Sequence, residues 1–468
     1  MKKVIGILLC ALLILSVVSV PAFAAEDYVI RSPYEDVVWS GENAWKAYKG
    51  NLHTHSTVSD ADTDLREMIL DHYEQGFDFL AMTDHGVTGK AWNEEPTHLP
   101  LYLYQYIIGK KTTKLTDEEY EGITSGAYPV NGAPRGSGMV CVTGGNELNA
   151  LTITKCHVNG MFLPPHAGDN YLGYENDHEG AVKLTEEAGG ISFINHPGDW
   201  LRSRDDISTV SDPDNVHYFS DIILKYDSCY GMEVFNENNG MTPYDRILWD
   251  NILMECLPYG KNVIAFSNND AHTYSHVDTS YSVFMMPENT VENIKETMQN
   301  GAFFCVTRRL RDNDVIGPKT ELDAKYSDIP YPSFTDISTD GHQVTVKVKN
   351  CTDIQWIANG KVIAAAEIEQ SENETVYILD LDTVRRQIIG EILRHFFRHG
   401  GDKDIRCELF GEGGVTLSQA FVLDDGTAPL TYTPDTSVKA LTHRFLHKIR
   451  SLRIFALLDL IVYKIKNR

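Results

Sequence analysis

Cysteine is scarce in this chain and badly spaced for chemistry: eight in 468 residues, with no C-x-x-C pair. That absence excludes a zinc ribbon and a dithiol redox motif. Cys10 falls in an amino-terminal leader, so seven remain, and an odd number leaves at least one thiol unpaired within an exported chain. Cys141, Cys305 and Cys407 lie in apolar runs and read as small buried hydrophobes. Positive charge is also short, with 41 Lys and Arg against 66 Asp and Glu and a formal net charge of −25. Long nucleic acids are bound largely through cations at phosphates, so no nucleic-acid partner is expected. Small phosphate esters stay open, because divalent ions among carboxylates attract phosphate locally.

The leader has a secretory pattern. Lys2 and Lys3 precede an apolar stretch over residues 4–20, and Ala22-Phe23-Ala24 supplies a small-residue cleavage site. This predicts a signal peptide over residues 1–24 and a secreted or extracellular mature protein; the other reading is an uncleaved anchor. Residues 437–468 carry eight Lys or Arg and one acidic residue, Asp459. Their apolar run over 452–463 is too short and interrupted for a bilayer span of about 20 residues. Two readings stand for this tail: a basic amphipathic helix touching a membrane surface, or a terminal helix docked on its own acidic protein.

Between these ends the chain divides into two parts. From 46 to 315, short apolar runs (77–82, 139–143, 191–194, 231–235, 263–266) alternate with helical patterns over 64–73, 180–189, 243–257 and 291–300. Such alternation predicts an α/β domain with a parallel sheet, open or closed into a barrel. Residues 92–138 form a long insertion that reads either as packing onto the barrel or as a lid. From 330 to 430 the period falls to two, as in Gln343-Val344-Thr345-Val346-Lys347-Val348-Lys349, with Gly-rich turns. This predicts a smaller β-sandwich-like accessory domain with a helical insertion over 384–398.

The chemistry concentrates where strands give way to loops. In Asn51-Leu52-His53-Thr54-His55-Ser56 the two histidines are two apart, so in a strand both imidazoles share a side. Seven more candidate ligands follow: Asp60, His85, Glu147, His157, His196, Asp270 and His272. Carboxyl-terminal strand ends converge on the mouth of an α/β barrel, so the pattern predicts an active site. Imidazole and carboxylate without thiolate suit divalent Zn, Mn or Fe rather than a structural zinc.

These motifs resemble the PHP family, named for polymerase and histidinol phosphatase. The matching segments are His53-Thr54-His55-Ser56 with Ser59-Asp60, Thr83-Asp84-His85, Gly145-Asn146-Glu147, His157-Val158-Asn159-Gly160, Asn195-His196-Pro197, Gly231-Met232-Glu233-Val234 and Asn269-Asp270-Ala271-His272. The resemblance implies a distorted TIM-like barrel of seven strand–helix units and a phosphoesterase holding two or three divalent ions. Carried over position by position, His53, His55, Glu147 and Asp270 would hold the first ion. Glu147 would bridge to a second bound by His157 and His196, and Asp60, His85 and His272 would hold a third. Asp84 would orient His85 or accept a proton from the nucleophile, and Glu233 reads as a supporting or structural carboxylate. Arg202, Arg204 and Arg308 are candidate phosphate clamps, each weighed against an ordinary surface arginine.

The function expected is hydrolysis of a small phosphomonoester or phosphodiester by a metal-bound hydroxide, with no catalytic Ser or Cys. One alternative is metal-dependent hydrolysis of another bond, an amide or protein phosphotyrosine. Another is a non-catalytic cell-surface protein that binds metal or carbohydrate.

Overall fold

The computed structural model describes residues 29–451 apart from 100–101, 103–104, 106, 149–155, 170–176, 238–239, 312–320, 359, 364–367, 371–374, 382–402 and 425. The signal peptide, the helical insertion 384–398 and the tail beyond 451 lie outside the described residues.

The described strands and helices follow the apolar periods closely. In chain order they are β1 (Val29–Arg31), β2 (Lys46–Asn51), α1 (Leu65–Glu74), β3 (Phe79–Ala81), α2 (Asp117–Ser125), β4 (Val140–Val142), β5 (Asn146–Leu148), β6 (Val158–Met161), α3 (His178–Glu187), β7 (Ile191–Ile194) and α4 (Pro197–Leu201). Then come α5 (Pro213–Lys225), β8 (Cys229–Asn236), α6 (Asp245–Cys256), β9 (Ile264–Asn268), β10 (Ser280–Met286), α7 (Val291–Asn300) and β11 (Phe303–Thr307). The carboxyl-terminal part adds β12 (Ser333–Asp340), β13 (Gln343–Lys349), β14 (Asp353–Ala358), β15 (Lys361–Ile363), β16 (Ile368–Gln370), β17 (Thr375–Asp380), β18 (Lys403–Gly411), β19 (Gly414–Leu417), β20 (Phe421–Asp424) and α8 (Val438–Ser451).

Local signals set the helix ends. Asp64 caps α1 by accepting from the Arg66 amide, and Leu65, Met68, Ile69 and Tyr73 make its buried stripe. Thr290 caps α7, and Gly301 ends it with a φ of 79° that side-chain-bearing residues avoid.

The expected barrel is corrected here. The fold is mixed α/β, and no closed barrel is found among the described strands. One sheet of eleven strands runs β1-β20-β18-β19-β11-β10-β2-β3-β4, with β14 and β15 attached through β18, and a second runs β9-β8-β7-β6-β5. The two ladders do not join into a ring. Between β9 and β10 the contact passes through the Ser282 hydroxyl, which accepts from the Ser267 amide and donates to the Ser267 carbonyl.

Strand direction also departs from the parallel expectation. β2, β3 and β4 are parallel, as are β7, β8 and β9, but β6 is antiparallel to both β5 and β7. Nine residues separate Leu148 from Val158, too few for the crossover that a parallel pair requires. β10 likewise runs antiparallel to β2 and β11. Apolar runs report burial and are silent on direction.

A line of phenylalanine rings ties the sheets together. Phe79 meets Phe284 at 4.9 Å, Phe284 meets Phe303 at 4.4 Å, Phe303 meets Phe266 at 5.3 Å, and Phe266 meets Phe193 at 4.4 Å. The first ring lies against Gly50, where an added Cβ would fall 1.8 Å from it. These contacts hold the strand ends that carry the histidines in fixed positions.

The carboxyl-terminal strands extend the larger sheet. β19 pairs with β11 and β20 pairs with β1, while β12, β13, β17 and β16 form a separate four-stranded antiparallel sheet. Within the insertion, Trp92, Leu99, Tyr102, Leu115 and Ile123 are buried. Its polar groups also grip the loop that carries Asp60: Gln105 donates to the Ser59 carbonyl, and the Lys111 carbonyl accepts from Thr57. The basic side of α8 rests on α5 through Lys439–Asp214 (2.6 Å) and Arg444–Asp221 (2.8 Å), while Val438, Leu441 and Phe445 face solvent.

None of the seven described cysteines is in a disulfide, and six are buried. No described helix is long and apolar enough to cross a membrane.

Candidate metal centre

Four strand ends and one strand start bring the site together. His53 and His55 lie just past β2, Asp84 and His85 beyond β3, His196 after β7, and Asp270 and His272 after β9. Glu147 sits within β5 itself. His157 precedes β6, and because β6 runs antiparallel its amino-terminal end reaches the same rim. Backbone bonds lock these segments in register: the Asp270 amide donates to the His53 carbonyl, the His55 amide to Ala271, and the Glu147 amide to Thr83.

Glu147 is the hub. Its Oε2 lies 3.2 Å from His53 Nε2, 2.9 Å from His55 Nε2 and 3.2 Å from His85 Nδ1. Its Oε1 lies 2.9 Å from His157 Nδ1 and 3.2 Å from His196 Nε2. Asp270 Oδ1 stands 3.3 Å from His53 Nε2 and 3.1 Å from His55 Nε2. Asp60 is the outermost of the nine, with oxygens 3.6 Å from His85 Nε2 and 3.4 Å from His272 Nε2.

The ligand atoms sort into groups small enough for one ion each. His53, His55, Glu147 and Asp270 form one; His85, Glu147 and His157 a second; His55, Asp60, His85 and His272 a third. The first matches the set implied by the resemblance. In the second, His85 approaches Glu147 beside His157, and His196 touches the same carboxylate. The third gains His55.

The donor set fits divalent metal ions. His53 Nε2, His55 Nε2, His85 Nδ1 and Asp270 Oδ1 are buried with no hydrogen-bond partner. Burying such atoms is costly unless something completes them. The far side of His53 is already served, its Nδ1 lying 2.8 Å from Glu233 Oε1, which fixes the ring with Nε2 aimed inward. Glu233 also accepts from the His196 amide and from the side chains of Asn236 and Asn268, so it braces three of the converging segments.

The electrostatics agree. Burial would raise the carboxyls of Glu147 and Asp270, yet the surrounding imidazoles outweigh it and hold both well below the usual range. Burial would lower the imidazoles of His53 and His55, but the carboxylates lift both, His55 to about 10. At His85 burial wins and pushes its pKa down to about 3. The field that draws protons to His53 and His55 is a field for cations, and the two compete.

Asp84 takes a different part from either expected role. Its Oδ1 accepts from the Ser56 amide (2.8 Å), the Ser59 amide (3.1 Å) and the Ser59 hydroxyl (2.7 Å), and Oδ2 accepts from the Ser56 hydroxyl (2.9 Å). The carboxylate shapes the 56–59 turn that leads to Asp60.

The three arginines separate. Arg308 is corrected: it is buried, with Nη2 donating to the carbonyls of Ala324, Ser327 and Ile329 and Nη1 3.5 Å from Asp278. A guanidinium so committed cannot clamp a substrate. Arg202 and Arg204 follow α4, which begins just after His196; Arg202 caps that helix, and Arg204 is exposed with Nη1 3.3 Å from Met241 Sδ. The start of α4 requires a glycine, since a Cβ on Gly198 would fall 2.0 Å from Asp245 Oδ1.

The asparagines carry more than their sequence suggested. Asn195 donates to Glu147 Oε1 at 2.8 Å, Asn236 lies 3.3 Å from Asp270 Oδ2, and Asn51 and Asn269 bond to each other. All four stand at or just past a strand end, and Asn195 and Asn269 directly precede the ligands His196 and Asp270, which was the available signal.

No family model matches the chain, and no curated protein matches it. Solved structures similar to it include a Bacteroides vulgatus two-domain protein described as containing a predicted PHP-like metal-dependent phosphoesterase. That likeness has 17% identity and a TM-score of 0.40, covering 81% of this chain and 96% of the other. A Bifidobacterium adolescentis protein, also described as a proposed metal-dependent phosphoesterase, shows 12% identity and a TM-score of 0.28 over 50% of this chain and 90% of its own. A lesion-specific endonuclease from Pyrococcus furiosus shows 13% identity and a TM-score of 0.29 over 54% and 56%. The first of these bears the family name that the motifs resemble. Likeness at this level says nothing of chemistry, which rests on the side chains.

Proposed function

We propose that this protein is an exported, metal-dependent phosphoesterase that hydrolyses a small phosphomonoester or phosphodiester. One observation carries the reading: five imidazoles crowd a single buried carboxylate, Glu147, at 2.9–3.2 Å. Bound divalent ions would supply Lewis acidity and acidify a water towards neutrality.

The chain's own residues account for the rest. Glu147 spans two ligand groups and sets their separation. Glu233 orients His53, and Asp84 holds the turn that presents Asp60. No cysteine belongs to a ligand group among the described residues, and the buried cysteines Cys141 and Cys229 have pKa values pushed up by burial to about 12 and about 11, which keeps them protonated and inert. Arg204, exposed on the segment after His196, supports recognition of an anionic substrate near the rim.

The test is a substrate panel of aryl phosphate mono- and diesters with amide substrates alongside, run on wild type and Glu147→Ala. Turnover of a phosphate ester that disappears in the variant is the expected result. Metal-loaded protein that cleaves only amides, or nothing, overturns the reading.

A further inference from the structure

One more group of donors converges at the rim, two of its three members outside the nine ligands described. Glu237 directly follows β8, and His276 closes the short turn Tyr274–His276 after His272. One donor atom from each of Glu237, His272 and His276 lies within 4.8 Å of the others. His276 Nδ1 is 3.6 Å from Glu237 Oε1, and that nitrogen is buried without a hydrogen-bond partner. All three side chains are half-buried, so a hydrated ion can reach them.

The group is held in place by its backbone. The Ser280 hydroxyl donates to the Glu237 carbonyl at 2.9 Å, and the Thr279 hydroxyl donates to the His276 carbonyl at 2.7 Å. Consecutive residues at the start of β10 thus pin both outer donors. The His272 carbonyl accepts from the amides of Asp62 and Thr63. Two imidazoles and one carboxylate suit a borderline first-row cation; calcium requires six or more oxygens.

We propose that Glu237, His272 and His276 form an outer cation site that takes one divalent transition-metal ion, separate from the inner cluster but sharing His272 with it. His272 also belongs to the group with His55, Asp60 and His85. Its Nδ1 donates to the Asp270 carbonyl at 3.0 Å, which leaves the ring one lone pair to give. An ion at the outer site therefore competes with the ion beside Asp60 for that imidazole. Excess metal draws His272 outward and weakens the inner position, so metal supply regulates the site. The outer site stands on its own geometry and not on the proposed reaction.

The test uses Zn2+ alone as probe, with equilibrium dialysis of the full chain from trace to excess metal. Wild type should bind one further, weaker equivalent at excess zinc. Glu237→Gln and His276→Ala should each lose that equivalent and keep the tighter ones. Glu147→Ala should lose the tight equivalents that Glu147 holds and keep the weak one, which separates failure of the outer site from failure of the inner cluster. The isosteric Glu237→Gln keeps the test sound if His276→Ala folds poorly. Superimposable isotherms for wild type and Glu237→Gln overturn the proposal.

Discussion

Buried charge is handled in two opposite ways in this molecule. Between α6 and β18, Arg406 forks onto Asp250 with bonds of 2.7 and 2.9 Å and also reaches Glu408, whose Oε1 meets Arg246 Nη1 at 2.5 Å. Two arginines face two carboxylates, all four buried, and this clasp fastens the carboxyl-terminal strands to the helix layer. At the metal centre, by contrast, carboxylates and imidazoles face one another with nitrogens left unbonded. The clasp balances its charges within the protein; the centre calls for cations from outside. A balanced buried network is structural, and an unbalanced one at converging strand ends is a site.

Four measurements sharpen or break this contrast. The largest effect is expected from Glu147→Ala, which should cut phosphoesterase turnover on the order of 10³-fold through loss of several kcal/mol of metal-derived stabilisation. Its fold should survive, checked by circular dichroism. Arg406→Met should instead leave Asp250 and Glu408 without their shared cation and destabilise the chain by about 3–5 kcal/mol, read by denaturant unfolding. Added metal should not rescue it. An Arg406→Met chain as stable as wild type would dissolve the contrast.

A third effect comes from His72, buried behind the site with Nδ1 on the Met68 carbonyl and Nε2 accepting from Asn269. Burial pushes its pKa down from 6.5 to about 4. The unfolded chain therefore takes up a proton between about pH 6.5 and 4 that the folded chain refuses. The stabilising contribution is full above that window and falls as pH drops through it, on the order of 3 kcal/mol in all. His72→Gln should flatten this limb of the stability–pH curve, and an unchanged limb would contradict the assignment. The smallest effect belongs to Glu233→Gln, which loosens His53 without removing a ligand. Metal affinity should fall by about 10–100-fold.

Much of the centre was legible in the sequence because ligands at strand ends keep their order along the chain whatever the sheet does. His53, His55, Glu147 and Asp270 gather as the motif spacing implied. Strand direction was not legible, so β6 and β10 defeated the parallel barrel. Arg308 misled for a related reason: its place after a buried strand resembles that of a ligand, and only the carbonyls of Ala324, Ser327 and Ile329 show it to be a brace. Asp84 beside His85 suggested a partnership by adjacency, whereas neighbours in a chain leaving a strand point apart. Glu237 follows β8 as His196 follows β7, and that parallel was the missed signal.

The most direct measurement is elemental analysis of wild-type protein purified in metal-replete buffer. The three inner ligand groups predict two or three tightly held divalent ions per chain. Wild-type chains that remain folded and hold no stoichiometric metal would contradict the account.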